Sequence, residues 1–304
     1  MYDNSDPRSG MAQATVPAIK PGSFSSASYV KFYEQPAVEQ TPSFKQWFAR
    51  GQNFILAYAE LGAGAETGAL LKRTKQADEY IVLLPDAESR AEIVTRDERV
   101  PVNGFSLIIV PPGESEIVMR TPGRIVRLFT TRAKELLEKC ANNTHYDPPN
   151  PRVAPLVPWP APPSGFKIRA YSLDVPPTPG RFGRIFRCTT FMVNFLDPND
   201  GPRDPQKMSP HHHDDFEQGS LALAGTFTHH LRWPWTTDMT QWRSDEHEVC
   251  ATPSLAVIPA PSIHTTEARG AGFNQLVDIF CGPRMDFSKQ PGWVLNAQEY
   301  PLPG

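Results

Sequence analysis

Apolar and polar side chains alternate along most of this chain in short runs rich in Val, Ile, Leu and Phe, cut by Pro, Gly, Asn and Asp. Period-two alternation puts successive side chains on opposite faces of a strand, so the pattern predicts β-structure throughout. In the first part the expected strands are Gln52 to Leu61, Glu79 to Leu84, Ala91 to Thr95, Phe105 to Val110, Ser115 to Met119 and Ile125 to Thr130. In the second they are Lys167 to Leu173, Arg184 to Leu196, Gly219 to Leu223, Thr226 to Trp233, Ser254 to Ile258, Thr265 to Ala268 and Asn274 to Phe280. Two stretches read as helices. Ser43 to Arg50 follows a Thr41/Ser43 cap with Pro42 near its start, and Thr131 to Ala141 aligns Leu136, Leu137 and Cys140 on one stripe.

Turn residues and Pro content then divide the chain. Residues 1–23, rich in Ser, Ala, Gly and Pro, read as a flexible arm. A first β unit occupies 24–141, and a connector, 142–165, opens a stretch in which eleven prolines fall between Pro148 and Pro179. Pro fixes the backbone and removes donors, so this stretch is expected to lie extended over the surface, with Trp159 as an anchor. A second β unit spans 166–285, and the extension 286–304, with Trp293, Leu295 and Tyr300, is expected to pack back onto a barrel.

The two units align as copies. Asp78 to Leu84 parallels Phe216 to Ala222, setting Glu79 opposite Glu217; Leu107 to Glu116 parallels Leu255 to His264, setting Pro111 opposite Pro259 and Glu116 opposite His264. Pro111 follows Glu79 by 32 positions and Pro259 follows Glu217 by 42, so the second copy carries extra residues within Arg232 to Glu248. Three of the six tryptophans, Trp233, Trp235 and Trp242, lie there and are candidates for an aromatic wall around a substrate or for a barrel seal.

Composition narrows the class. The 33 prolines argue against a mainly helical architecture. A net charge of −3 gives no footprint for nucleic acid. Apolar runs such as Ser106 to Pro112 and Phe191 to Leu196 fall far short of the roughly 20 residues of a membrane helix. Residues 1–28 lack the apolar region of a signal peptide, so a soluble, cytoplasmic protein is expected. Cys140, Cys188, Cys250 and Cys281 are widely spaced and form no C-x-x-C pair, which suits reduced, structural thiols.

The chemistry concentrates in one place: seven of the eight histidines fall between His211 and His264. In His211-His212-His213-Asp214-Asp215-Phe216-Glu217, strand parity sends His211, His213 and Glu217 to one side, and His264 follows a Pro-containing turn that can bring it alongside. Imidazoles with a carboxylate suit one divalent transition ion, Fe, Mn, Ni, Cu or Zn, and suit Ca or Mg poorly. Asp214 and Asp215 are candidates to orient the imidazoles. The first copy has no histidine between Phe24 and Arg132, and its corresponding positions, Arg73 to Lys75, would repel a cation.

His211, His213, Glu217 and Gly225 resemble the first motif of the cupin superfamily, and Pro259 with His264 resembles the second, although Pro261 stands where the family usually has glycine. The resemblance implies an all-β chain of two tandem cupin-type jelly-roll barrels, a bicupin, with a metal-binding second barrel and a degenerate first. It also implies a cavity for a small-molecule substrate. Members of the superfamily include oxygenases, isomerases, lyases, decarboxylases and binding proteins. The first expectation is an Fe(II)-type dioxygenase of an aromatic or carbonyl compound. A redox-neutral isomerase or lyase of a sugar or keto acid comes next, and a non-catalytic binding protein third. His229 and His230 point to opposite faces, so one of them is the candidate acid/base, with Arg232 or Arg187 to meet a substrate oxygen. No nucleotide-binding glycine loop or G-x-S-x-G elbow is present. Edge strands admit a homodimer.

Overall fold

A computed structural model describes residues 24–65 and 67–304; the arm expected over 1–23 lies outside them. Four antiparallel sheets form two barrels. The large sheet of the first barrel runs, in spatial order, Arg169–Ser172, Ser106–Val110, Tyr80–Leu84, Gly123–Thr130, Phe54–Leu61, Phe44–Arg50 and Glu39–Thr41. Its small sheet runs Arg73–Gln76, Gly113–Met119, Arg90–Thr95 and Arg99–Asn103. In the second barrel the large sheet runs Ser28–Lys31, Ser254–Ile258, Gln218–Ala224, Phe273–Phe280, Met192–Phe195 and Arg184–Arg187, with Asn199–Asp200 paired to Phe273–Phe280. Glu246–Ala251, Thr226–Arg232 and Ile263–Ala268 form its small sheet.

Alternation assigns each face of the large sheets a separate task. One face of each meets the other barrel: Leu56, Tyr58, Ile81, Leu83 and Leu107 share a single buried cluster with Leu221, Leu255, Val257, Val277 and Ile279. At roughly 25 cal/mol per Å² of apolar surface, burying each such side chain favours docking of the barrels by about 1.5–3 kcal/mol before entropy is counted. The opposite face of the first large sheet packs on its own small sheet through Val82, Ile108, Val110, Ile93, Ile117 and Phe129.

Two edge strands are exchanged between the units. Ser28–Lys31 pairs with Ser254–Ile258 of the second barrel, and Arg169–Ser172 pairs with Ser106–Val110 of the first. The strand expected from Lys167 in the second unit therefore completes the first unit's sheet.

Further departures are local. The helix expected over Ser43 to Arg50 is the strand Phe44–Arg50, because Phe44 and Phe48 face the first barrel's core while Trp47 and Ala49 face the other barrel; that two-sided burial overrides the Pro and Ser signals of a helix start. Thr131 to Ala141 contains the 3-10 helix Lys134–Lys139 in place of an α-helix. Arg184 to Leu196 is two strands joined by a turn. In the C-terminal extension Leu295 N–H donates to Ile185 O, Asn296 Oδ1 accepts from Arg187 N–H, and Tyr300 OH donates to Glu79. Among the described residues no helix is long and apolar enough to cross a membrane.

Candidate metal centre

Pairing of His211 with His264 builds the site. Their backbones exchange both hydrogen bonds, His211 N–H to His264 O at 3.0 Å and His264 N–H to His211 O at 2.7 Å. This bridge sets the rings 4.4 Å apart between centroids, and His213, two residues on, lies 5.1 Å from each. One nitrogen from each ring falls within 4.8 Å of the others. Bonds of about 2.1 Å to a first-row ion need donors roughly 3–4 Å apart, so a small closure completes the set.

Hydrogen bonds on the far side of two rings fix their orientation. His211 Nδ1–H donates to Ser209 O at 2.9 Å and His264 Nδ1–H to Ser262 O at 3.0 Å, which leaves the Nε2 of both rings unprotonated. Burial, aided by the neighbouring imidazole of His211, lowers the pKa of His264 to about 3 and keeps it neutral as a ligand must be. His213 differs. Its Nε2 lies 3.0 Å from Gln218 Oε1, and its Nδ1 lies 3.2 Å from Arg284 Nη1. Burial and that guanidinium depress its basicity strongly. With Nδ1 beside the arginine N–H and Nε2 beside Gln218, His213 is the ring that would have to reorganise to ligate an ion.

Glu217 does not join the histidines. Residues Asp214 and Asp215 form a bend and the strand begins at Gln218, so the parity counted from His211 breaks there. Glu217 turns toward the first barrel, where its Oε2 accepts the Gln52 backbone N–H at 2.6 Å. Burial pushes its carboxyl up to about 7. Gln218 takes the place expected for Glu217: its Oε1 lies 3.0 Å from His213 Nε2 and 3.4 Å from His264 Nε2. Its amide N–H donates at 3.0 Å to Asp278 Oδ1, which also accepts from Ser220. Asp278 is fully enclosed, and burial raises its pKa to about 7. Neither Gln218, Asp278 nor Arg284 was singled out from sequence. For Asp278 the available signal was a lone aspartate among the apolar residues Leu276, Val277, Ile279 and Phe280.

The other candidates separate. His229 faces the interior, fully buried, with Nδ1 3.2 Å from Thr266 Oγ1 and Nε2 without a partner among the described residues; burial lowers its pKa to about 4. His230 faces outward, 2.8 Å from His247 and 3.2 Å from Glu267. Arg232 is exposed and forks onto Asp245, so it does not reach the site. Arg187 is buried, donates to the Tyr300 carbonyl and lies over Trp159, an anchoring role. Asp214 is exposed, 3.3 Å from His212 on the outside, and orients no candidate ligand. The tryptophan wall is absent: Trp233 is buried under Arg243, while Trp235 and Trp242 stack on each other in solvent.

A cavity of about 320 Å³ opens beside the centre, lined by His211, His264, Gln218 and Asp278 at one part and by Phe182, Phe227 and Leu276 elsewhere. A more open groove of about 380 Å³ on the first barrel, between Lys45, Glu60 and Arg124, carries no donor cluster, and its Arg124 is held by Asp86.

By its likeness to solved structures, the chain has the bicupin fold. It superposes on an oxalate decarboxylase of Lactobacillus farciminis in complex with formate, with a TM-score of 0.55 and 12% identity, over 87% of this chain and 88% of that one. For the oxalate decarboxylase of Bacillus subtilis, a protein with Mn(II) centres, the values are 0.54, 12%, 91% and 84%. For AerE of Microcystis aeruginosa they are 0.53, 9%, 81% and 96%. No family model and no curated protein matches the sequence.

Proposed function

We propose that this bicupin is a metal-dependent enzyme that holds one divalent first-row ion on His211, His213 and His264 and acts on a small organic molecule in the adjoining cavity. The observation that carries the proposal is the convergence of three imidazole nitrogens within 4.8 Å, with His211 and His264 on the wall of that cavity. With Gln218 in place of a carboxylate, all donors are neutral and the ion keeps its full charge of about +2. A bound ion supplies Lewis acidity and open positions for a substrate oxygen. The chain supplies the rest. Asp278 holds the Gln218 amide toward the histidines, Arg284 holds His213, and His229 stands inside the barrel as a neutral imidazole with one free nitrogen.

The finer proposal is O2-dependent oxidation, with iron as the ion. Redox-neutral cleavage is the second, favoured by the likeness to decarboxylases, one of which has Mn(II) centres. Elemental analysis of protein purified without chelator or nickel resin, beside His213→Ala, tests the common part. About one equivalent of Fe or Mn, lost in the variant, supports it; no metal in either protein sinks it. Turnover with and without O2 then separates the two reactions.

A further inference from the structure

The same cavity carries two arginines that no motif contains. Arg181 and Arg203 line it, both half-buried, and among the described residues neither is paired with a carboxylate. Arg181 uses Nε on Gly183 O and Nη2 on Pro176 O. Arg203 uses Nη1 on Thr266 O and Nη2 on Lys207 O and Ser209 Oγ. Backbone carbonyls therefore fix the direction of each guanidinium without neutralising it. The acids on the same wall are engaged elsewhere: Asp197 lies 3.3 Å from Arg184, and Asp278 Oδ1 accepts from Gln218 and Ser220. Half-buried guanidiniums with donors to spare are the usual partners of a carboxylate or phosphate.

Two further features define the rest of the occupant. Phe182, Leu196, Phe227, Ala268 and Leu276 give the cavity an apolar side that a bare dianion would leave unused. The same wall also carries Asn199, Ser209, Thr265 and Thr266, which suit a polar end on the occupant. A volume of about 320 Å³ accommodates about ten non-hydrogen atoms at the roughly 30 Å³ of a water-sized group.

We infer that the ligand of this cavity is an amphipathic monocarboxylate of about ten heavy atoms, its carboxylate on Arg181 and Arg203 and its apolar body on Phe227 and Leu276. This rests on the functional proposal above only for the cavity's being the substrate site; the arginines act without the ion.

The test is titration calorimetry with 3-phenylpropionate, 3-phenylpropionamide and oxalate, on chelator-treated protein and again after loading with Mn(II). The acid is expected to bind the metal-free protein at least tenfold more tightly than the amide, and more tightly than oxalate. R181Q/R203Q should remove that preference, and the R181K/R203K pair should restore part of it. Equal binding of acid and amide, tighter binding of oxalate, or no binding of any of them overturns the inference. The comparison of ligands on the unaltered protein decides even if the variants misfold. Acid binding that appears only with Mn(II) also overturns it, because the ion would then hold the carboxylate. Failure to take up Mn(II), with the acid still bound, would sink the metal proposal and leave the anion site standing.

Discussion

The two barrels share a framework and differ in what fills them. Strand register sets Tyr80 against Gln218 and Arg127 against Asp278, since Tyr80 pairs with Val110 as Gln218 pairs with Ile258, and Val82 meets Arg127 as Ser220 meets Asp278. Ser115 pairs with Arg73 as His264 pairs with His211, so Ser115, not Glu116, is the counterpart of His264. His211, His264, Gln218 and Asp278 thus correspond to Arg73, Ser115, Tyr80 and Arg127, a set with no imidazole and two cations. The first barrel offers two guanidiniums, Arg73 and Arg127, both over the ring of Phe129. Its interior is also one continuous apolar cluster. In the second barrel the core breaks into small clusters around a polar seam of Asn194, Gln218, Ser220, Thr228, His229 and Asp278. The first barrel's interior is packed, whereas that of the second adjoins a cavity.

What the copies retain is equally informative. Glu79 and Glu217 occupy equivalent positions, and each reaches across to the other barrel: Glu217 to the Gln52 N–H, Glu79 to the N–H and hydroxyl of Thr189. The glutamate of the motif is therefore a reciprocal tie between barrels in both halves.

The sharpest way to break the comparison is to remove equivalent residues and measure metal. His264→Ala is expected to reduce bound metal from about one equivalent to near zero, whereas Ser115→Ala leaves it unchanged; loss in both would place the ion elsewhere. The two ties can be cut next. Glu79→Ala leaves the Thr189 N–H, its hydroxyl and the Tyr300 hydroxyl without their acceptor, at a cost of about 3 kcal/mol. Glu217→Ala orphans a single N–H and should cost about 1 kcal/mol. Urea denaturation of both variants checks the order, and a larger loss for Glu217→Ala would contradict it.

Acid should weaken the second barrel through His229, a kind of residue the first barrel's interior lacks. Its folded pKa of about 4 lies below the ordinary 6.5. Between those values the unfolded chain binds the proton more readily than the folded one, so this contribution is present above pH 6.5 and is lost as pH falls toward 4. On metal-free protein, wild type should lose about 2 kcal/mol more than His229→Gln between pH 7 and pH 4.5. Parallel pH profiles for the two proteins would contradict this.

Sequence made the barrels legible because alternation survives wherever one strand face meets one core. It failed where both faces are buried, as in Phe44–Arg50, and where strands cross between units. At the site, His211, His213 and His264 were legible because cross-strand pairing and local spacing bring them together. Glu217 was misplaced because parity cannot be carried through a bend. Gln218, Asp278 and Arg284 were invisible because their roles arise from pairing with distant strands or loops. No local pattern distinguishes them.

The smallest effect concerns the insertion that lengthens the second copy. Trp235 is 75% exposed and stacks on Trp242 at 4.6 Å with the rings 8° from parallel, and neither lines the cavity. Removing one ring forfeits an aromatic contact of about 0.5–1.5 kcal/mol whose other partner is water. Trp235→Ala is therefore expected to lower stability by about 1 kcal/mol or less while metal content stays the same. Phe227→Ala, on the cavity wall inside the barrel, should cost about 3 kcal/mol or more. If Trp235→Ala instead lowered metal content as His264→Ala does, the insertion would belong to the centre. The difference between the barrels would then extend beyond their interiors to the extra residues at the edge.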